Sequence, residues 1–529
     1  MKRGEIARHV TRGAFFLAIE KVAALVSGML YFALILRWLG PTNYGILTLA
    51  LAITGFASVA TGNFEVFLER YAAEYEAKGR RDLLFRAHGI AVALKFGLGI
   101  IASFVVLAIL PQLVYQFDVA ELGVLVPILI YTVASDGLYT TGRSLLFGMQ
   151  RYEWVSGLSL LFHVAKTVLV GVLWWSHQGL VAMAIGLTAL NVAQAVLFSI
   201  VAWWQAARNA HRPPTVAGIA ESEPPLLHQM FGYCMPLLGA RAAFLSGQNL
   251  SKLLLAKVMD ATQLGYFTFA FQTIERFVEL AYTVPSALLP SLTHLVAREE
   301  RERLGYIFEQ AFRLVQVAAC VVAWGVFAFA PELTLWVGSP LFLPSLAMLQ
   351  VLALVPIART AQQPLTMLFQ AMRRPGIVLT LAMVKLAVEL ACYVLIVPHL
   401  GGLGAAYANL AGALAAYTGA LMFTGALLPG TTIARTGVVV RALLLVGPML
   451  VIAYFLSHSG QHPALSLVAR VALLVPASLA LFGLGLVTRY DLEKLSALEL
   501  RSLWLRGVRD RLVGAADRIA RVVEPRRPA

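Results

Sequence analysis

Thirteen ionisable residues stand deep inside apolar runs of the chain. Eight are basic (Lys21, Arg143, Lys166, Arg241, Lys252, Arg276, Arg359, Lys385) and five acidic (Glu20, Asp136, Glu275, Glu279, Glu389). A charge at mid-bilayer costs roughly 2.5–3.5 kcal/mol on insertion scales, so each needs water, a partner or a ligand. The excess of basic groups suits an anion, which arginine grips as a fork and lysine as a point charge. Carboxylates one helical turn apart, as Glu275 and Glu279 are, could instead share a proton or hold a cation. Arg276 stands three residues from Glu279 and can pair with it. Lys385 and Glu389 have the same option across one turn.

Helical spacing gathers these groups into stripes. Thr54, Ser58, Thr61 and Glu65 fall on one helix face, as do Thr132, Asp136, Tyr139 and Arg143. Thr268, Gln272, Glu275 and Glu279 repeat the pattern, followed by Arg359, Gln363, Thr366 and Gln370. Shorter stripes are Ser159, His163, Lys166; Arg241, Gln248, Lys252; and Lys385, Glu389, Tyr393. A single stripe can simply hydrogen-bond neighbouring helices. Seven of them on corresponding helices predict a hydrated cavity, with every third helix at the periphery.

The elements carrying the stripes follow from composition. The 529 residues are 59% apolar and only 13% charged, and the mean hydropathy is +0.76. A soluble chain needs more polar surface than that. Fourteen apolar runs, each near the length of one crossing, predict an all-α polytopic membrane protein of about 14 transmembrane helices. They lie at 14–36, 45–63, 87–110, 122–142, 155–175, 180–204, 233–256, 265–290, 306–329, 346–370, 377–397, 403–428, 438–456 and 466–487. Little chain remains for an extramembrane catalytic domain. The longest expected outer segment, Pro331 to Ser345, has one carboxylate, Glu332.

Of the 42 lysines and arginines, 29 fall between spans on the side of the N-terminus, and only Arg37 and Lys257 on the other. This bias places both termini in the cytoplasm. The net charge of +14 is therefore a topology signal and an attraction to anionic membrane lipids, with no nucleic-acid partner implied. Cys234, Cys320 and Cys392 stand singly in apolar sequence as packing residues. No metal or cofactor motif is present, and the absence of a phosphate-binding G-x-x-x-x-G-K-[ST] loop argues against ATP hydrolysis by this chain.

The sequence also repeats. Arg37-Trp-Leu-Gly-Pro-Thr-Asn-Tyr-Gly-Ile-Leu-Thr-Leu-Ala50 is echoed 220 residues later by Lys257-Val-Met-Asp-Ala-Thr-Gln-Leu-Gly-Tyr-Phe-Thr-Phe-Ala270. Thr42/Thr262, Gly45/Gly265, Thr48/Thr268 and Ala50/Ala270 match. Six expected spans separate the copies, an even number, so both halves enter the membrane in the same direction. The organisation predicted is a six-helix lobe at 1–212, a cytoplasmic linker at 213–229 and a second six-helix lobe at 230–430. Helices 13 and 14 follow at 431–487, then a basic amphipathic cytoplasmic tail at 488–529.

The segment Arg-x-Leu-Gly-Pro-x-x-Tyr-Gly at 37–45, after a first span, resembles the hallmark of the Wzx-like polysaccharide flippases of the multidrug/oligosaccharidyl-lipid/polysaccharide exporter (MOP) superfamily, to which the MATE exporters belong. The resemblance implies a non-enzymatic transporter in the bacterial plasma membrane. It would move polyprenyl-diphosphate-linked oligosaccharide outward for surface polysaccharide biosynthesis, alongside a polysaccharide polymerase and chain-length machinery. For such a headgroup, Arg143, Lys166, Arg241, Lys252, Arg359 and Lys385 are the candidate substrate-binding residues. Glu275, Glu279 and Asp136 are the candidates for ion coupling. Competing readings are a lipid-linked peptidoglycan precursor flippase, a cation-coupled drug exporter of the same superfamily and a membrane glycan polymerase. The basic excess disfavours the drug exporter, and the short outer loops disfavour the polymerase.

Overall fold

The computed structural model describes residues 3–77, 80–208, 226–286, 298–372, 374–428, 432–458 and 463–486, with 292, 295, 296 and 514. The expected linker falls mostly outside these residues, and the tail almost wholly so. Every regular element among the described residues is a helix, as backbone that crosses lipid must be unless it closes into a barrel.

The helices are α1 (Arg3–Val59), α2 (Glu65–Ala77), α3 (Arg81–Phe117), α4 (Leu122–Leu129), α5 (Tyr131–Gly148), α6 (Tyr152–Trp175), α7 (Leu180–Arg208), α8 (Leu226–Val258) and α9 (Ala261–Ser286). They continue with α10 (Arg301–Ala328), α11 (Ala330–Leu333), α12 (Leu346–Leu352), α13 (Val355–Arg359) and α14 (Gln362–Ala371). The last four are α15 (Pro375–Leu427), α16 (Thr432–His458), α17 (Pro463–Ala472) and α18 (Leu474–Gly483).

Nine segments among the described residues are long and apolar enough to cross a membrane. Two of these, Val22–Val59 and Gly376–Leu427, hold 38 and 52 residues, enough for two crossings each. Each breaks at a glycine in a backbone region that L side chains avoid. Gly40 has φ 68° and ψ 179°, and Gly401 has φ 57° and ψ −134°. Pro41 and Pro398 weaken the helical ladder beside each break. Eleven of the fourteen expected crossings are thereby accounted for. The other three coincide with α8, with α9, and with the α17–α18 pair, which is interrupted at Leu473. The protein is a multi-pass, all-α membrane protein.

The chain forms two compact units. The first comprises residues 1–269, 335–344 and 390–405. Small residues let its helices approach closely. A Cβ on Gly137 of α5 would lie 3.1 Å from Lys95 Cβ of α3, and one on Gly142 would lie 3.0 Å from the backbone of Phe198 on α7. Phe64, Phe67, Leu68, Leu84, Leu145, Val155 and Phe198 build a buried core joining α2, α3, α5, α6 and α7.

The two copies of the repeated segment meet inside this first unit. The Thr42 and Thr262 hydroxyls are 3.0 Å apart. A Cβ on Gly45 would fall 1.8 Å from the Ala261 carbonyl oxygen, and one on Gly265 would fall 2.0 Å from that of Pro41. Each glycine thus packs on the residue equivalent to the other's partner, which is the signature of a local two-fold axis. Phe342 seals the contact, with its ring centroid 6.5 Å from Tyr44, 6.2 Å from Tyr266 and 5.1 Å from Phe269.

The second unit comprises residues 270–334, 345–389 and 406–529. Gln316 of α10 donates to the Ile357 carbonyl at 3.4 Å and accepts from the Tyr417 hydroxyl at 2.6 Å. Arg470 of α17 is 3% exposed and donates to both oxygens of Glu332, at 2.9 and 2.6 Å. It also donates to the Ala328 carbonyl, so it pins α17 to the end of α10.

Candidate functional site

Three of the expected stripes converge within the first unit on a chamber of about 370 Å³. Thr54 and Ser58 reach it from α1, Thr132, Asp136 and Tyr139 from α5, and His163 and Lys166 from α6. Asn191 and Gln194 enter from α7, the sixth span, which sequence patterning places at the periphery. The size falls at the lower end of small-molecule sites, about 300–1,000 Å³. The lining is unusually rich in hydroxyl, amide and charged groups. Several hydroxyls are held by nearby backbone carbonyls: Thr54 donates to the Ala50 carbonyl at 3.2 Å, Ser58 to Gly55 at 2.7 Å and Thr132 to Leu129, at the end of α4, at 2.6 Å. Their oxygen lone pairs are left to accept from a ligand.

The candidate basic residues have different surroundings. The Lys166 ammonium donates to the side-chain carbonyl of Gln194 at 3.3 Å; among the described residues no carboxylate lies at ion-pair distance from it, and the charge of Asp136 acts on it across the chamber. Arg143 lies 3.8 Å from Glu20, whose carboxylate also accepts from Ser156 at 3.4 Å. Arg359 pairs with Glu275, both nearly buried. Lys385 pairs with Glu389 at 2.7 Å, and Asn409 donates to the second Glu389 oxygen at 2.6 Å. Lys252 is half-buried on α8. Arg241 lies on the same helix, its side chain outside the described residues.

The carboxylates proposed for ion coupling also separate. Asp136 faces the chamber, and Glu275 is the partner of Arg359. Glu279 is largely exposed and lies 3.7 Å from Arg276, the pairing its spacing allows. Among the described residues no three His, Cys, Asp or Glu side chains gather as metal ligands.

Sequence patterning overlooks one buried charge beside the chamber. Lys95 is 1% exposed in the middle of α3. Its ammonium donates to Glu65 at 2.7 Å and to the Thr140 hydroxyl at 2.8 Å. Glu65 opens α2, just past a break in the second span where Gly62 has φ 80°. A void of about 20 Å³ adjoins the break, lined by Ser58, Thr61, Gly62, Lys95 and Asp136 among others. Ser58 and Asp136 therefore border both spaces. Lys95 was readable as the one charge in the apolar run 87–110, but it belongs to no stripe. Its partner is thirty residues away in sequence.

Similar architecture occurs in solved structures. An inward-facing multidrug resistance MATE-family transporter of the MOP superfamily superposes with a TM-score of 0.63 at 14% identity, over 78% of this chain and 98% of that one. The lipid II flippase MurJ in an inward closed conformation gives 0.59 at 11% identity, over 88% and 98%. An outward-facing MATE-family transporter gives 0.53 at 15%, over 79% and 96%. At these identities the likeness establishes the fold, which is that of the MOP transporters. Among curated proteins none matches the chain. The sequence itself matches the polysaccharide biosynthesis protein family over residues 10–296, more than half its length, and the chain belongs to that family.

Proposed function

We propose that this protein is a flippase that carries a polyprenyl-diphosphate-linked oligosaccharide from the inner to the outer leaflet of the bacterial plasma membrane, for surface polysaccharide biosynthesis. The observation that carries the reading is the Lys166 ammonium, which faces a polar chamber with an amide as its hydrogen-bond partner while Arg143, Arg359 and Lys385 each have a carboxylate. A cation so placed attracts a phosphate oxygen, and the carboxamides and hydroxyls around it suit sugar hydroxyls. The polyprenyl tail stays in lipid, along the spans at 431–487.

Transport proceeds by alternating access of two six-helix lobes, 1–212 and 230–430, joined by the linker at 213–229. The two-fold contact of Thr42, Gly45, Thr262 and Gly265 supports this reading as the closed outer end. The chain performs no covalent chemistry. It hands its cargo to the polymerase and chain-length machinery outside, with both its own termini in the cytoplasm. Arg241 and Lys252 complete the basic set, with Arg143, Arg359 and Lys385 available through exchange of partners. Asp136, Glu275 and Glu279 remain the candidates for ion coupling.

The test is chemical identification of the lipid that accumulates on the inner leaflet when the protein is deleted. The reading requires a polyprenyl-diphosphate oligosaccharide. Accumulated peptidoglycan precursor would assign the second substrate class, and no accumulated glycolipid would refute both.

A further inference from the structure

The oxygen groups around Lys95 are those that a small monovalent cation would take. Glu65 presents a carboxylate at one side and Thr140 a hydroxyl at another. Asp136, Ser58 and Thr61 line the adjoining void, and α1 ends at Val59 on the same wall. A helix C-terminus carries partial negative charge on its last carbonyls, and interrupted spans commonly use such carbonyls to hold cations. The two carboxylates would leave this place strongly negative without Lys95. The ammonium gives two of its three N–H groups to Glu65 and Thr140, and Lys95 borders the void, which has room for about one water. Gly137 makes the arrangement possible, since it lets α5 pass against the backbone of Lys95. From α8, Leu238 and Ala242 are the described residues that line the void, and neither titrates.

We propose that Lys95 is a tethered cation: its ammonium permanently fills a monovalent-cation site built from Glu65, Thr140 and the break in the second span. Dissolved sodium therefore has no place there in the native protein, and the break is held without an ion gradient. Removing the ammonium uncovers a site for sodium or a small alkylammonium ion. A purely structural ion pair would show no such exchange.

The experiment compares thermal unfolding of the purified full-length protein in sodium, propylammonium and choline chloride at equal concentration. It needs no transport substrate, so it stands or falls separately from the glycolipid reading. The native protein should melt at the same temperature in all three salts. K95A should melt at least ~3 °C higher in propylammonium or sodium than in choline, the shift expected when a ligand binds the folded state alone. The double variant K95A/E65Q should lose that difference. Folding of K95A only when propylammonium is present counts for the site, and failure to fold in every salt counts against it. A sodium-dependent rise as large in the native protein as in K95A, or a salt-indifferent folded K95A, would overturn the proposal.

Discussion

The hydroxyls of Thr42 and Thr262 lie 3.0 Å apart, and the two residues occupy the same position of a duplicated segment. The neighbouring glycines are exchanged in the same way, Gly45 against Ala261 and Gly265 against Pro41. A duplication written into the chain at an offset of 220 residues thus becomes a symmetric contact in space. Its closeness depends on the missing side chains at 45 and 265.

Replacing either glycine by alanine puts a methyl group into a backbone carbonyl. G45A and G265A should each destabilise this contact by about 1–3 kcal/mol, the usual cost of overpacking. The local symmetry requires the two losses to be similar. Thermal unfolding of each variant checks this, and an unperturbed G265A beside a damaged G45A would contradict the two-fold relationship.

The same contact can be trapped. In a background with Cys234, Cys320 and Cys392 replaced by alanine, T42C/T262C should form an intramolecular disulfide on mild oxidation. Gel mobility before and after reduction reads the outcome. If this contact closes the outer end, the oxidised protein should also lose transport and regain it on reduction.

The Arg359–Glu275 pair separates a packing role from a ligand-binding one. Both side chains are nearly buried, so R359Q alone strands a carboxylate and should cost about 3–5 kcal/mol. R359Q/E275Q, which strands neither, should recover most of that loss. Unfolding measurements on the two singles and the double give the coupling. Restored stability with lost transport would give the pair a role in transport beyond packing.

The proposed cargo is an anion, and an interior-negative potential drives anions outward at about 2.3 kcal/mol per charge per 100 mV. Two negative charges on the diphosphate gain roughly 4–5 kcal/mol. Flipping in vesicles should accelerate when a potassium–valinomycin potential makes the cytoplasmic side negative, and slow when its sign is reversed. Flux that ignores the potential would remove this driving force from the account.

Much of the architecture is legible in residue order. Apolar runs mark the helices, and the repeat at 37–50 and 257–270 marks the two segments that meet in space. The separate spans that the pattern presents on either side of 37–44 and 398–402 are separate helices, with the joint between them shortened to a kink at Gly40 and at Gly401. The shortness of those joints depends on tertiary packing, which periodicity does not encode. The chamber is legible where polar residues recur each turn, as in Thr132, Asp136 and Tyr139. It is illegible where a helix contributes isolated groups, as Asn191 and Gln194 do in an apolar run; outside the chamber, Lys95 and Arg470 find carboxylates 30 and 138 residues away. A lone buried charge shows its cost in the sequence, while its partner emerges only from the fold.

The most direct test is flipping of a polyprenyl-diphosphate oligosaccharide by the purified protein in vesicles, comparing native Lys166 with K166M and K166R. The account predicts transport by the native protein, at least a tenfold loss in K166M, about 1.4 kcal/mol or more, and partial retention in K166R, all three melting at similar temperatures. Transport by K166M at the native rate, with its fold intact, would contradict the claim that this ammonium receives the headgroup.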